Sequence, residues 1–136
     1  MFNFLMRFTN SGKISAATAE EQMACLEAVI LTLCSDKRLT FMEQWEFQQF
    51  IKRVRWRVNV KAEVPHIREK AYAALQDQEK WAAYLGNISA NIFSKKVAKA
   101  IFLICEDIGY DSIYLLDWQL QKQLREAILS APSQSS

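Results

Sequence analysis

Acidic side chains gather where two of the predicted helices end. Asp36 ends the first predicted helix, about residues 18–36, and Asp107 ends the fifth, which begins after Ser94. A helix C-terminus carries partial negative charge and prefers Lys or Arg, so these are unfavourable places for acids. A divalent cation would offset this charge, and carboxylate oxygens are the ligands that Ca²⁺, Mg²⁺ and Mn²⁺ prefer. One hypothesis is therefore a metal site formed by Asp36, Glu43, Asp107 and Asp117. The alternative is that these are ordinary solvated loop acids, with Glu43 serving only a helix cap. Without metal, changing Asp36 and Asp107 to Asn is expected to be neutral or slightly stabilising.

A second candidate site is the basic stretch 52–61, in which an aromatic residue stands among cations. Arginine pairs with phosphate and tryptophan stacks on bases, so this pattern is compatible with single-stranded nucleic acid. The candidate residues are Arg53, Arg55, Trp56, Arg57 and Lys61. The net charge is only +2, which is too balanced to indicate a nucleic-acid partner by itself. We favour a solvated face or a contact with a partner protein, and keep a nucleic-acid-binding module as the alternative.

Residue patterns typical of enzymes are missing from the sequence. His66 is the only histidine, and it follows Pro65 at a predicted helix start, where a surface or capping role is favoured over a general base. The sequence has no glycine-rich phosphate loop, no GxSxG and no HExxH. The three cysteines, Cys25, Cys34 and Cys105, lack metal-binding spacing and are predicted to be buried free thiols. We expect a protein that is not an enzyme.

Length and composition limit the class of protein. A chain of 136 residues is the size of one domain, and a hydrophobic content of 51% excludes a disordered chain. Only 3 Gly and 2 Pro are present, which leaves few turns and favours helices over a β-sandwich. The longest uncharged run, Trp81 to Ser94, is shorter than the roughly 20 residues of a membrane span. We expect a cytoplasmic, all-α protein.

About six main helices are predicted in a single domain, residues 15–130. The first spans about 18–36, with a capping box at Thr18 and Glu21 and an apolar stripe at Met23, Leu26, Ile30 and Leu33. The others begin at Thr40, at Val64-Pro65, after Asp77, after Ser94 and near 113. The link between the first two is short, which predicts antiparallel neighbours. Residues 53–61 alternate polar and apolar, and we interpret them as a helix end followed by an extended connector; a short edge strand is the alternative.

The two ends of the chain are predicted to lie outside this domain. Residues 1–14 form an apolar segment that we expect to cover a groove on this domain or on a neighbour. The alternative is contact with a membrane surface through Phe2, Phe4, Leu5 and Phe8. The polar tail, residues 131–136, is predicted to be disordered.

The first and fifth predicted helices look like copies of one unit. At an offset of 71 residues, apolar positions coincide and a Cys-x-Asp sequence falls at both helix ends, Cys34 to Asp36 and Cys105 to Asp107. Each is followed by another helix, which predicts two related helix-loop-helix hairpins around a twofold-like core. Chance alignment of two amphipathic helices is the alternative.

The residues from Asp36 to Glu43 resemble the hairpin loop of TerB-like proteins, a family named for a tellurite-resistance protein. That loop commonly reads Asp-Gly-x-(Ile/Val)-x-x-x-Glu; Asp36, Leu39 and Glu43 match it, and Lys37 stands in place of the glycine. Asp107, Ile113 and Asp117 repeat the order more loosely. The resemblance covers about residues 15–130. It implies an all-helical protein with an internal repeat, associated with chemical stress, whose acidic residues bind a divalent metal. The expected function is a non-catalytic, stress-associated binding module with protein partners.

Overall fold

The computed structural model describes residues 4–35, 41–108 and 118–134, without the side chains of residues 4–6, 8, 42, 43, 133 and 134. The described ranges are helical and contain no strand, which confirms the predicted all-α class. The described ranges contain seven long helices and one short helix: α1 Phe4–Ser15, α2 Ala19–Cys34, α3 Phe41–Arg53, α4 Val60–Ala74, α5 Gln78–Ala90, α6 Lys95–Ile108, α7 Trp118–Leu129 and α8 Ala131–Gln134. No helix within these ranges has the length and hydropathy needed to cross a bilayer.

Helix α2 is the centre of the fold. It begins with the predicted capping box, in which Thr18 Oγ1 accepts from Glu21 N and Glu21 Oε1 accepts from Thr18 N. Thirteen of its sixteen residues are buried, and it packs against α1, α4, α5 and α6. The predicted single apolar stripe therefore understates its burial: a helix that is apolar on every side needs neighbours on every side.

Buried polar side chains connect α2 to its surroundings. Glu21 Oε2 also accepts from the backbone N–H groups of Phe93 and Ser94, so one carboxylate joins the start of α2 to the start of α6. The fully buried Gln22 donates to the carbonyls of Ile14 and Arg55. Its Oε1 accepts from Arg57 N at 2.7 Å. Two of these groups, the Arg55 carbonyl and the Arg57 N–H, lie in the stretch between α3 and α4, where no helix or strand would satisfy them.

The connector between α3 and α4 is residues 54–59, and it forms no edge strand. Helix α4 starts at Val60, earlier than the predicted start at Val64-Pro65, because Asn59 caps it by accepting from Ala62 N at 3.2 Å. Pro65 consequently lies inside the helix rather than in its first turn. The predicted caps of the next two helices are present: Asp77 accepts from Glu79 N and Lys80 N, and Ser94 Oγ accepts from Val97 N.

The chain ends differ from the expected division into segment, domain and tail. Helix α1 packs against α6, α3 and α2, and its residues Asn10, Ser11 and Ile14 are buried, so it belongs to the same core. Residues 131–134, expected to be disordered, form helix α8, because Ala131 is buried against α6 and α7. The packing of α1 is consistent with the expectation that residues 1–14 cover a groove on this domain, whereas the polar composition of 131–136 carries no information about the contacts of α8.

The predicted hairpins do not pack alike. Helices α2 and α6 contact each other in the core, and α7 lies along α6 and α5. Helix α3, however, makes its main contacts with α1 and α6 rather than with α2, although the short link predicted antiparallel neighbours. Its apolar side still faces the core, where Phe47 and Phe50 are buried. The twofold-like arrangement of hairpins stays a prediction.

Candidate functional site

The predicted metal ligands fall on three different parts of the chain. Asp36 and Asp117 lie outside the described residues, and Glu43 lies in α3 with its side chain outside them. Asp107 sits in the last turn of α6, where its side chain is 8% exposed. Arg7 of α1 lies against it: Nε is 2.9 Å from Oδ2, and Nη2 donates to Oδ1 at 3.2 Å. At this helix end the compensating cation is therefore a guanidinium group.

Arg7 belongs to a charged cluster that joins three helices. Its Nη1 lies 3.2 Å from Glu46 Oε1 of α3, while its other contacts reach Asp107 of α6. Arg53 completes the cluster; burial and then the nearby Arg7 lower its pKa, while Glu46 and Asp107 oppose that shift. Among the residues that the structure describes, no group of three or more His, Cys, Asp or Glu side chains is arranged to hold a metal ion.

The basic stretch does not form one continuous exposed stripe. Arg53 Nε donates to Ser11 Oγ, and Arg57 Nε donates to the carbonyl of Ala17. Trp56 donates its Nε1–H to the carbonyl of Ile51, and its ring packs edge-on against the buried Phe50, with centroids 5.6 Å apart. Arg55, Arg57 and Lys61 are exposed. The aromatic residue that would stack on a base thus packs on the protein's own core.

Other candidate residues have simple positions. Cys25, Cys34 and Cys105 are free and buried as predicted, and burial raises the pKa of each thiol, that of Cys105 to about 12. His66 is exposed on α4. For the membrane-surface alternative, Phe2 lies outside the described residues, and Phe4, Leu5 and Phe8 lie in α1 with their side chains outside them.

An open cleft between α4 and α5, floored by α2, is a site that sequence reasoning missed. Its volume is about 520 Å³, large enough for a small molecule. Acidic, basic, amide and small apolar side chains line it: Glu27 from α2, Glu69, Lys70 and Ala73 from α4, and Lys80, Ala83, Tyr84 and Asn87 from α5.

Glu27 forms the floor of this cleft. The residue is only 5% exposed. Asn87 Nδ2 lies between its two carboxylate oxygens, 2.9 Å from Oε1 and 2.8 Å from Oε2. The buried Tyr84 hydroxyl donates to the backbone carbonyl of Glu27 at 2.6 Å, which fixes α5 against α2 at this point. Among the residues that the structure describes, an amide and not a cation holds the carboxylate in place.

The electrostatics of Glu27 follow from that arrangement. Burial raises its pKa, the hydrogen bond from Asn87 and the charge of Lys70 lower it, and Glu63 raises it; the net direction is upward. Within the described ranges, no Lys or Arg nitrogen comes within 4.0 Å of this carboxylate. A shifted carboxyl group in a cleft is a typical feature of binding and catalytic sites.

One signal in the sequence could have located this site. Glu27 is the only charged residue between Met23 and Cys34, in a run that is otherwise almost entirely apolar. A buried charge is costly unless it is partnered, so an acid in such a run indicates a specific environment.

Comparison of the chain with family models, with curated proteins and with solved structures finds no match.

Proposed function

We propose that the protein is a non-catalytic helical module that binds a small polar molecule in the cleft between α4 and α5. The observation that carries this proposal is the Glu27 carboxylate, buried at the floor of an open cleft of about 520 Å³ and bonded to an amide. A buried acid in contact with its own arginine or lysine would be a structural ion pair. A buried acid facing an accessible space offers a ligand its strongest polar contact.

The proposal is limited to binding because, among the described residues, the groups hydrogen-bonded at Glu27 supply no nucleophile and no second acid–base group. A nucleophilic site typically pairs its nucleophile with a base in hydrogen-bond reach. The Tyr84 hydroxyl is committed to the carbonyl of Glu27, and the Asn87 amide does not titrate.

The test uses substitutions that fill the cleft. Ala83 lines it from α5, whereas its neighbour Ala82 is exposed and does not line it. We expect fragments from a library of small polar compounds to bind the wild type in ligand-observed NMR, to lose binding in Ala83→Trp and to keep it in Ala82→Trp. Equal binding to both variants, or no binding to the wild type, would contradict the proposal. Circular dichroism of both variants checks that they remain folded.

At the level of family, we propose a TerB-like, stress-associated protein with two related hairpins and a divalent cation in its acidic loops. The spacing of Asp36, Leu39 and Glu43 supports this, as does the packing of α2 on α6. Because Arg7 already binds Asp107, the metal-binding part of the proposal depends chiefly on Asp36, Glu43 and Asp117.

Thermal melts test the metal. If Mg²⁺, Ca²⁺ or Mn²⁺ binds only the folded chain, a hundredfold excess over Kd should add about 2.7 kcal/mol of stability relative to EDTA. Asp36→Asn with Asp117→Asn should remove that gain. A melting temperature that no ion changes would rule the metal out.

A further inference from the structure

The charges that line the cleft are equal in number, with one acid at the floor and the other acid and both lysines on the walls. Two acids and two lysines contribute to the lining: Glu27, Glu69, Lys70 and Lys80. Glu27 is buried, whereas the other three are exposed on the two walls. A ligand with several positive charges would meet the lysines, and a ligand with several negative charges would meet the acids. A molecule that carries one charge of each sign meets a complementary partner for both.

The Glu27 carboxylate at the floor can accept further hydrogen bonds. A carboxylate offers about four lone-pair sites, and among the described residues one nitrogen, Asn87 Nδ2, lies within hydrogen-bond distance of both oxygens. An ammonium group brings three N–H donors and a positive charge, and such charge-assisted bonds are roughly twice as strong as neutral ones. A hard metal ion fits this floor poorly, because Ca²⁺ and Mg²⁺ take about six or more oxygen ligands.

The walls offer cations for an acidic group. Lys70 of α4 and Lys80 of α5 line the cleft from opposite helices, and within the described part of the chain neither forms an ion pair. Lys70 is close enough for its charge to act on Glu27, so a negative group bound to Lys70 would lie a short distance from an amine bound to Glu27. Ala73 and Ala83 leave room between the helices for a short aliphatic chain.

Building on the proposed function, we propose that the cleft binds a small zwitterion whose protonated amine pairs with Glu27 and whose acidic group pairs with Lys70 and Lys80. The amine lies deep, where desolvation strengthens the ionic hydrogen bond, and the acid lies at the exposed walls.

Three matched probes test this assignment by titration calorimetry at neutral pH: γ-aminobutyrate, n-butylamine and butyrate. We expect γ-aminobutyrate to bind at least tenfold more tightly than either of the others. Glu27→Gln, which keeps an oxygen to accept from Asn87, should weaken γ-aminobutyrate and butylamine at least tenfold. Lys70→Met with Lys80→Met should weaken γ-aminobutyrate and should not weaken butylamine. Glu79→Gln, an exposed change on α5 outside the cleft, is the matched control and should alter neither.

A second measurement avoids dependence on the stability of the variants. In the wild type, butylamine and γ-aminobutyrate should shift the side-chain amide resonances of Asn87, which contacts the carboxylate directly. Butyrate should leave them in place.

The outcomes separate the ligand class from the proposed function. Butyrate binding as tightly as γ-aminobutyrate, or γ-aminobutyrate binding that Glu27→Gln leaves unchanged, would overturn the zwitterion. If the neutral probe 1,4-butanediol then binds wild type and not Ala83→Trp, the cleft remains a binding site with a different ligand class. If none of the four probes binds, the zwitterion is overturned, and the fragment library decides the proposed function separately.

Discussion

Arg7 joins three helices through two carboxylates, Asp107 of α6 and Glu46 of α3. The pair with Asp107 is mostly shielded from water, with side chains 23% and 8% exposed. Removing the charge of Asp107 leaves the largely shielded guanidinium of Arg7 with one carboxylate, that of Glu46, in place of two. The helix C-terminus alone predicts that removing the charge of Asp107 is neutral or slightly stabilising, whereas the ion pair predicts a loss of stability.

We expect Asp107→Asn to lower the free energy of unfolding by about 1–3 kcal/mol, the cost of taking one of two carboxylates away from a largely buried guanidinium group. Urea denaturation would measure it. Glu106→Gln, the adjacent acid on the same helix, is the control and should change stability by under about 0.5 kcal/mol. In the double variant with Arg7→Met the two losses should be less than additive. A neutral or stabilising Asp107→Asn would show that the pair does not support the fold.

Gln22 also joins distant parts of the chain, through hydrogen bonds between uncharged groups. Its amide serves the carbonyls of Ile14 and Arg55 and the N–H of Arg57, so it holds the connector 54–59 against the core.

Gln22→Met keeps the volume of the side chain and removes all three hydrogen bonds. We expect the free energy of unfolding to fall by about 3 kcal/mol, because backbone groups lose hydrogen-bond partners and no new bond offsets their desolvation. Gln48→Met, on the exposed face of α3, should cost little and serves as the control. A loss as small as that of the control would mean that water replaces the amide at these backbone groups. Amide hydrogen exchange at Arg57 would report the same loss locally.

Local features at this scale follow from the sequence, whereas distant partners do not. Thr18 and Asp77 were predicted as caps because the groups that they bind lie two or three residues along the chain. Arg7 and Asp107 are 100 residues apart, and Asn87 is 60 residues from Glu27, so spacing carries no signal for either contact.

At the scale of elements, helix positions were predictable and helix packing was only partly so. The apolar period located α2, α5 and α6 within a few residues, because each buries a regular face. It could not show that α3 turns toward α1 and α6, since the same apolar residues suit several neighbours. The clearest difference concerns the start of α4. Pro65 predicts a start at Val64-Pro65, whereas the helix begins at Val60 because Asn59 caps it.

Pro65 provides the test of this element. Inside a helix, proline has no N–H for the preceding turn and its ring crowds the carbonyl there, at about 3 kcal/mol relative to alanine. We expect Pro65→Ala to stabilise the protein by about 1–2 kcal/mol, since alanine also makes the unfolded chain more flexible. His66→Ala, the exposed neighbour, should change stability by helix propensity alone, under about 0.7 kcal/mol. Destabilisation by Pro65→Ala would place the helix start at the proline.

At the scale of the whole molecule, one buried acid should influence how stability varies with pH. The ordinary pKa of Glu27 is 4.5, and its pKa in the folded protein is higher. Burial raises the pKa by more than Asn87 and Lys70 lower it, and the charge of Glu63 raises it further. Between these two values the folded state binds more protons than the unfolded state. The free energy of unfolding therefore falls as pH rises through that interval.

Glu27→Gln cannot ionise, so its stability should fall less than that of the wild type as pH rises from about 4.5 toward neutrality. Relative to the wild type, the variant should gain stability at the upper end of this range. Urea denaturation at a series of pH values would measure the difference, with the exposed Glu79→Gln as control. Parallel curves for wild type and Glu27→Gln would contradict the shifted pKa.

The burial of α2 has a consequence for biosynthesis. Its apolar surface is covered by α4, α5 and α6, all of which follow it in the chain. At roughly 5–20 residues per second, a ribosome completes α2 on the order of 4–15 s before it completes α6. During that interval the nascent chain carries an exposed apolar helix with few partners. Ribosome-bound chains that end before α4 should therefore bind chaperones that recognise apolar segments, and chains that extend past α6 should release them.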